Sequence, residues 1–138
     1  MFKQVQHLDA CVCVAGDSYT GELSSLTQEK INIGIRNKLL GQVNLVLTGQ
    51  QYLNDNGSFT LTSGKMGDQP SKNAVAKAIA NGGINSFVLA AALEMQWGIR
   101  VNVVSPAKVT DIPATDLVAG YLKSIEGTIN GEIIRINY

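Results

Sequence analysis

Several lysine side chains are placed where they could take part in chemistry. Five of the eight lysines fall in segments that follow or border the carboxyl ends of predicted strands: Lys38, Lys65, Lys72, Lys77 and Lys108. Open α/β sheets bind their ligands in the crevice outside the carboxyl ends of the strands. This placement predicts a locally basic pocket for a small anionic ligand. The alternative is that these lysines are solvated side chains on unrelated loops.

A lysine amine can also act as a base, provided that its pKa is lowered by burial or by a second cation. Lys77 is the candidate base, and Lys38 is the candidate second cation. The alternative interpretation is that Lys77 is solvated and has no catalytic role.

The other reactive side chains predict no metal site and no hydrolytic site. Cys11 and Cys13 lie two residues apart, so on a strand both would point to one face, and a bond between them would distort the strand. We expect buried, reduced thiols. His7 is the only histidine, which leaves no second ligand pair for a metal. Ser63 and Ser71 have no adjacent histidine, so a catalytic triad is not expected.

Strand and helix patterns alternate along the chain. Apolar, β-branched runs predict four strands, Leu8 to Val14, Ser58 to Thr62, Ile99 to Val104 and Glu132 to Ile136. Apolar stripes of helical period predict three helices: one from a capping box at Ser25 and Gln28 to about residues 54–57, one over Val75 to Met95, and one over Ala114 to Ile125. The resulting order, β-α-β-α-β-α-β, predicts a mainly parallel sheet of about four strands with helices on both faces.

Composition restricts the class of protein. The chain has 138 residues, of which 45% are hydrophobic and 16% are charged, and this predicts a single domain over residues 1–138. Its formal net charge of zero gives no general attraction to nucleic acid or to a membrane surface. The apolar runs are too short to span a membrane, and the first residues lack the apolar core of a signal peptide. We therefore expect a cytoplasmic protein.

Four short motifs, in order and with fitting spacings, resemble the short-chain dehydrogenase/reductase family. They are Cys13-Val14-Ala15-Gly16, the segment Gly57 to Gly64, the segment Ile99 to Pro106, and Thr128 to Ile133. The resemblance covers nearly the whole chain and implies a truncated, Rossmann-like three-layer α/β/α fold that lacks the family's opening βαβαβ. It also implies an NAD(P)-linked oxidoreductase, with Ala15, Gly16, Ser63 and Pro106 near the cofactor.

The resemblance places other residues at all four positions of the family's catalytic tetrad. Lys38 stands at the asparagine position, although Asn37 is one residue away, and Gly64 stands at the serine position. Lys77 stands where the family has its tyrosine acid/base, and Asn81 stands where it has the lysine that lowers the pKa of that tyrosine.

No glycine-rich turn for a dinucleotide pyrophosphate occurs near the N-terminus. The sequence therefore leaves two functional interpretations. One is a divergent oxidoreductase that has lost the family's standard catalysis. The other is a non-catalytic, dimeric ligand-binding or assembly protein, which includes the case of a relic without activity.

We expect a homodimer. The strand Leu8 to Val14 has no predicted neighbour on one side, and its edge would need a cover. The candidates are Phe2 to Gln6, the matching edge of a second copy, or a strand lost by truncation. The two long helices are the other candidate interface, because the resemblance implies a four-helix dimer contact. Gly82 and Gly83 cost about 2 kcal/mol in helix propensity, which close helix packing would offset.

Overall fold

The computed structural model describes all residues from Met1 to Tyr138, and its centre is a four-stranded parallel sheet. The strands are β1 (Leu8–Val12), β2 (Leu53–Thr62), β3 (Arg100–Pro106) and β4 (Ile133–Ile136), in the order β1-β2-β3-β4. Each neighbouring pair is parallel. The predicted Rossmann-like α/β fold with about four strands is thus confirmed.

Helices connect the strands. Between β1 and β2 run α1 (Gln28–Ile33), a π-helical segment (Gly34–Leu40) and α2 (Gly41–Gly49). The helix α3 (Val75–Ala91) follows β2, and α4 (Ala114–Glu126) follows β3. Short 3₁₀ turns occupy Leu23–Ser25, Gln50–Tyr52, Lys65–Gly67 and Val109–Asp111.

The two faces of the sheet follow from the alternation of side chains along β2 and β3. On one face Phe59, Leu61, Val101 and Val103 are buried in a cluster with residues of α2 and α3, namely Val46, Ile84 and Val88. On the other face Val104, Ile134 and Ile136 pack near α4 against Leu117 and Tyr121. Helices therefore cover both faces of the sheet.

The face under α4 also has a buried polar layer. The hydroxyls of Thr60 and Ser124 lie 2.7 Å apart, and the Asn102 side chain donates to the Ser124 hydroxyl. The guanidinium of Arg100 donates to the main-chain oxygens of Ser124 and Ile125. These bonds satisfy groups that would otherwise be buried without a partner and anchor the end of α4 to the sheet.

Several predicted element boundaries were wrong. The first long helix ends at Gly49, because β2 begins at Leu53 and takes in the polar segment that was assigned to the helix end. That segment is accommodated by a register shift, in which Leu8 pairs with Leu53 but Ala10 pairs with Ser58. The cap is Thr27, which accepts a hydrogen bond from the Lys30 amide, and not the predicted Ser25.

Three further boundaries differ from the sequence prediction. The strand β1 ends at Val12 and not at Val14. The helix α3 ends at Ala91, before Trp97 and Gly98, which have positive φ angles of 56° and 69° and cannot continue a helix. The strand β3 continues to Pro106, because Ser105 and Pro106 still pair with β4.

The strand β1 pairs only with β2. The first residues form a turn, with the Gln4 amide bonded to the Met1 oxygen at 3.0 Å, and they do not pair with β1. Phe2 is buried and stacks on Tyr52 with ring centroids 5.3 Å apart. Within residues 1–138, the outer edge of β1 therefore has no backbone hydrogen-bond partner.

The thiols of Cys11 and Cys13 are free, but they are half-buried and not fully buried as the apolar run suggested. Their strand lies at the edge of the sheet, which leaves one side open. Burial, and secondarily the neighbouring Cys13, raises the pKa of the Cys11 thiol. None of the helices combines the length and the apolar character needed to cross a membrane.

Candidate functional site

A cavity of about 460 Å³ lies at the carboxyl ends of β1, β2 and β3. Its walls come from the segment after β1, the π-helical segment, the turn after β2, helix α3 and the turn after β3. Of the residues singled out in the sequence, nine line it: Gly16, Lys38, Ser63, Gly64, Lys65, Lys77, Asn81, Pro106 and Lys108. Ala15 and Lys72, which were also proposed, do not line it.

Lys38 enters the cavity from the π-helical segment Gly34–Leu40. Wide turns of this kind occur often at functional sites. The Lys38 amine donates a hydrogen bond of 3.0 Å to the main-chain oxygen of Ser63, just beyond β2. Gly16 makes room for this side chain: it has a φ of 130°, and a Cβ there would lie 2.8 Å from the Cβ of Lys38.

The cavity lowers the pKa of Lys38. Burial is the main cause, and the nearby positive charge of Lys77 adds to it, while Asp17 opposes both. Sequence reasoning pointed to Lys77 as the amine that needed a lowered pKa and to Lys38 as the assisting cation. The amine that the structure places in this environment is Lys38, because the π-helical segment inserts it between β2 and α3.

Asn81 and Gly64 lie next to each other in the cavity wall. A Cβ at Gly64 would lie 3.1 Å from the Nδ2 atom of Asn81, so a larger residue would crowd the Asn81 amide. Asn81 is 4% exposed and Ser63 is 3% exposed. The Asn81 Oδ1 atom and the Ser63 Oγ atom are both buried without a hydrogen-bond partner within the chain.

The four lysines of the cavity fall into an inner pair and an outer pair. Of the outer pair, the Lys65 amine lies over the Tyr138 ring, 5.5 Å from its centroid, and the Lys108 amine lies 3.6 Å from an Asp111 carboxylate oxygen. The only ion pairs in residues 1–138 are Lys108–Asp111 and Arg135–Asp68. The inner pair, Lys38 and Lys77, therefore has no carboxylate at salt-bridge distance.

Sequence reasoning missed several residues that build the site. Asp17, Ser18, Met66, Ala107 and Val109 also line the cavity, and their positions next to predicted site residues were the available signal. Gln42 was missed as well. Its buried amide donates to the Thr62 oxygen and accepts from the Thr62 amide, both at 2.8 Å, and so holds α2 to the end of β2.

A second network holds the turn Lys65–Gly67 near the chain terminus. The Asp68 carboxylate accepts hydrogen bonds from Arg135 at 2.7 Å, from Tyr138 at 3.0 Å and from Asn85 at 3.1 Å. The Tyr138 hydroxyl also lies 2.7 Å from that of Ser105. Burial is the largest cause that raises the pKa of Tyr138.

None of the four tyrosines lines the cavity. Tyr121 is hydrogen-bonded to Thr62 at 2.7 Å, and Tyr138 to Ser105 and Asp68. Tyr52 stacks on Phe2, and Tyr19 lies under the Lys30 amine. The cavity thus has amines and amides on its walls but no phenol.

Comparison with known proteins identifies the scaffold. Residues 1–133 match the family described as enoyl-(acyl carrier protein) reductase. The protein lin1944 from Listeria innocua has a structure that is 38% identical, with a TM-score of 0.93 over 99% of this chain and 75% of that one. The chain belongs to the short-chain dehydrogenase/reductase family. This confirms the resemblance that the four motifs carried.

Other structures share the fold of this short-chain dehydrogenase/reductase. A small-chain dehydrogenase is 28% identical, with a TM-score of 0.91 over 99% of this chain and 72% of that one. A small-chain dehydrogenase in complex with NADPH is 24% identical, with a TM-score of 0.89 over 99% and 75%. At 24% identity, the structure in complex with NADPH shows only that the two proteins share a fold. No curated protein matches the chain.

The strand-to-helix connections of the described residues do not fit a dinucleotide pyrophosphate. The family's cofactor needs a tight glycine turn that leads from a strand straight into a helix N-terminus. Here β1 ends at Val12 and α1 begins at Gln28, and the connections before α3 and α4 are also long and lack that turn. No step through NAD(P) is therefore derived for residues 1–138.

Proposed function

We propose that this short-chain dehydrogenase/reductase does not carry out the family's standard proton and hydride transfer, and that it serves as a ligand-binding protein on that scaffold. The observation that carries the proposal is the composition of the cavity. Lys38, Gly64, Lys77 and Asn81, the residues aligned with the family's tetrad, line it together, and no tyrosine does.

The chemistry of the residues at the four tetrad positions supports this proposal. The tyrosine of the family tetrad donates a proton to the substrate oxygen, and its pKa is lowered by a neighbouring lysine. Here the aligned pair is Lys77 and Asn81, and an amide cannot lower a neighbour's pKa as a cation does. Gly64 has no hydroxyl with which to polarise a substrate oxygen. The amine of lowered pKa, Lys38, is already hydrogen-bonded to Ser63.

The proposal is tested by separating cofactor binding from turnover. NADPH and NADH are titrated by ligand fluorescence, and their oxidation is followed with a panel of ketones, aldehydes and enoyl thioesters. We expect no oxidation above the rate without protein. Turnover that the Lys77→Met variant abolishes would contradict the proposal, since Lys77 would then act as the acid. The Lys72→Met variant is the matched control, because Lys72 lies outside the cavity.

A further inference from the structure

The inner lysine pair of the cavity, Lys38 and Lys77, has no carboxylate at salt-bridge distance. Lys38 and Lys77 are close enough for Lys77 to lower the pKa of Lys38, and neither forms an ion pair. Two like charges in a partly buried cavity repel each other more than they would in water. An anion placed between them would remove that repulsion and supply the missing partner.

The walls of the cavity suit a polar, charged ligand better than an apolar one. Its volume of about 460 Å³ is in the range of small-molecule sites. Four lysines and one aspartate contribute to its lining, and the two outer lysines lie at the ends of turns after β2 and β3. Of these two amines, that of Lys65 forms no ion pair and would attract an anion towards the inner pair.

We propose that the cavity binds a small phosphomonoester, with the phosphate between Lys38 and Lys77. This inference rests on the proposed ligand-binding function. It names the ligand class for the same cavity.

The choice of phosphate over carboxylate follows from the donors. No arginine lines the cavity, whereas planar carboxylates are best matched by the two-pronged guanidinium group. Lysine amines act as compact point charges and bind phosphate in that way. A phosphomonoester is close to doubly charged at neutral pH and so balances two amines, and it has three acceptor oxygens.

The pH dependence of phosphate binding distinguishes this site from a general attraction to a charged surface. The charged and titratable groups that face Lys38 are Asp17, Lys77, Lys65 and Lys108. Because the pKa of Lys38 is lowered, its amine loses its charge at a lower pH than an ordinary lysine. Phosphate binding would then require proton uptake, and affinity would fall as the pH rises through that lowered pKa.

The experiment is a calorimetric titration with glycerol 3-phosphate, with inorganic phosphate, glycerol and succinate as comparison ligands. We expect glycerol 3-phosphate to bind, because the phosphate is the group that the two lysines hold, and glycerol not to bind. The Lys77→Met variant should weaken binding by about tenfold or more, as for the loss of one charge-assisted contact. The Lys72→Met variant should bind like the unmodified protein. In the Lys38→Met variant the remaining affinity should no longer fall as the pH rises through the lowered pKa of Lys38.

The possible results separate this inference from the proposed function. No binding of glycerol 3-phosphate at about 10 mM would overturn the phosphate site and leave the absence of turnover standing. Succinate binding as tightly as glycerol 3-phosphate would overturn the choice of phosphate. Equal binding by Lys77→Met and Lys72→Met would place any bound phosphate outside the cavity. Near-ultraviolet circular dichroism of each variant shows that it is folded, and Lys77→Gln serves in place of a variant that is not.

Discussion

At the scale of single residues, the environment of Lys38 distinguishes this site. Its amine is brought to the end of β2 by the π-helical segment, next to Lys77 and hydrogen-bonded to the Ser63 oxygen. A lysine in such a position is less stable in its charged form than a lysine in the unfolded chain. The cavity therefore reduces the stability of the fold for as long as Lys38 remains charged.

The pH dependence of unfolding should show this effect. A lowered pKa in the folded state means that the unfolded chain binds more protons between the lowered pKa and the ordinary value of 10.5. In that range, the free energy of unfolding should rise with pH relative to the Lys38→Met variant. Urea unfolding of both proteins at a series of pH values measures the difference. A difference that does not change with pH would show that Lys38 is not destabilised by its surroundings.

At the scale of elements, Gly67 and Gly82 lie on neighbouring segments and differ in whether a side chain would fit there. A Cβ at Gly67 would lie 2.9 Å from the backbone of Asn81 and Gly82, so the turn Lys65–Gly67 contacts α3 too closely for a side chain. A Cβ at Gly82 would meet only the Gly67 oxygen, at 3.6 Å, an ordinary contact. Of the Gly82-Gly83 pair that suggested close packing, Gly83 is the one where a Cβ would be too close to a neighbour, at 2.8 Å from the Leu39 side chain.

Two alanine substitutions should therefore change stability in opposite directions. We expect Gly67→Ala to lower the free energy of unfolding by about 2 kcal/mol, because backbone atoms would have to move. Gly82→Ala should raise it by about 0.5–1 kcal/mol, since alanine is the better helix former and its methyl group fits. Denaturant unfolding of both variants provides the measurement. If both variants lost stability equally, the close contact of this turn with α3 would not be what requires glycine at position 67.

At the scale of the whole molecule, the helices beside the sheet leave large apolar side chains exposed. On α1, the π-helical segment, α2 and α3 these include Ile33, Leu40, Leu47, Ile79 and Leu89, with Leu47 57% exposed. Extended apolar surface of this kind often marks a contact with another protein. We propose a homodimer through this helical face, and the unpaired edge of β1 is the alternative surface.

The oligomeric state can be measured by light scattering coupled to size-exclusion chromatography. We expect a dimer at micromolar concentration and a monomer for Leu47→Glu, because a buried charge would oppose association. Leu122→Glu is the matched control, since Leu122 is 43% exposed but lies on α4, across the sheet. A dimer that survives Leu47→Glu would point to the β1 edge, and a monomeric parent protein would contradict both surfaces.

Sequence patterns were enough to predict the order of elements, the parallel sheet and the family. Each of these depends on information that is local along the chain: apolar periodicity for Leu61 and Ile84, or short motifs such as Ile99 to Pro106. The boundaries near residues 54–57 were mispredicted, because the turn conformation of Asn56, with a φ of 64°, is kept inside β2 where its pairing with β1 shifts register.

The tertiary structure alone decided what the candidate site contains. Its walls come from segments far apart in the chain, so sequence spacing could not show that Lys72 lies outside the cavity while Lys65 and Lys108 line it. Nor could it show which lysine is desolvated. Burial and the distance between charges arise only when the π-helical segment packs against α3, and those two quantities set the pKa of Lys38.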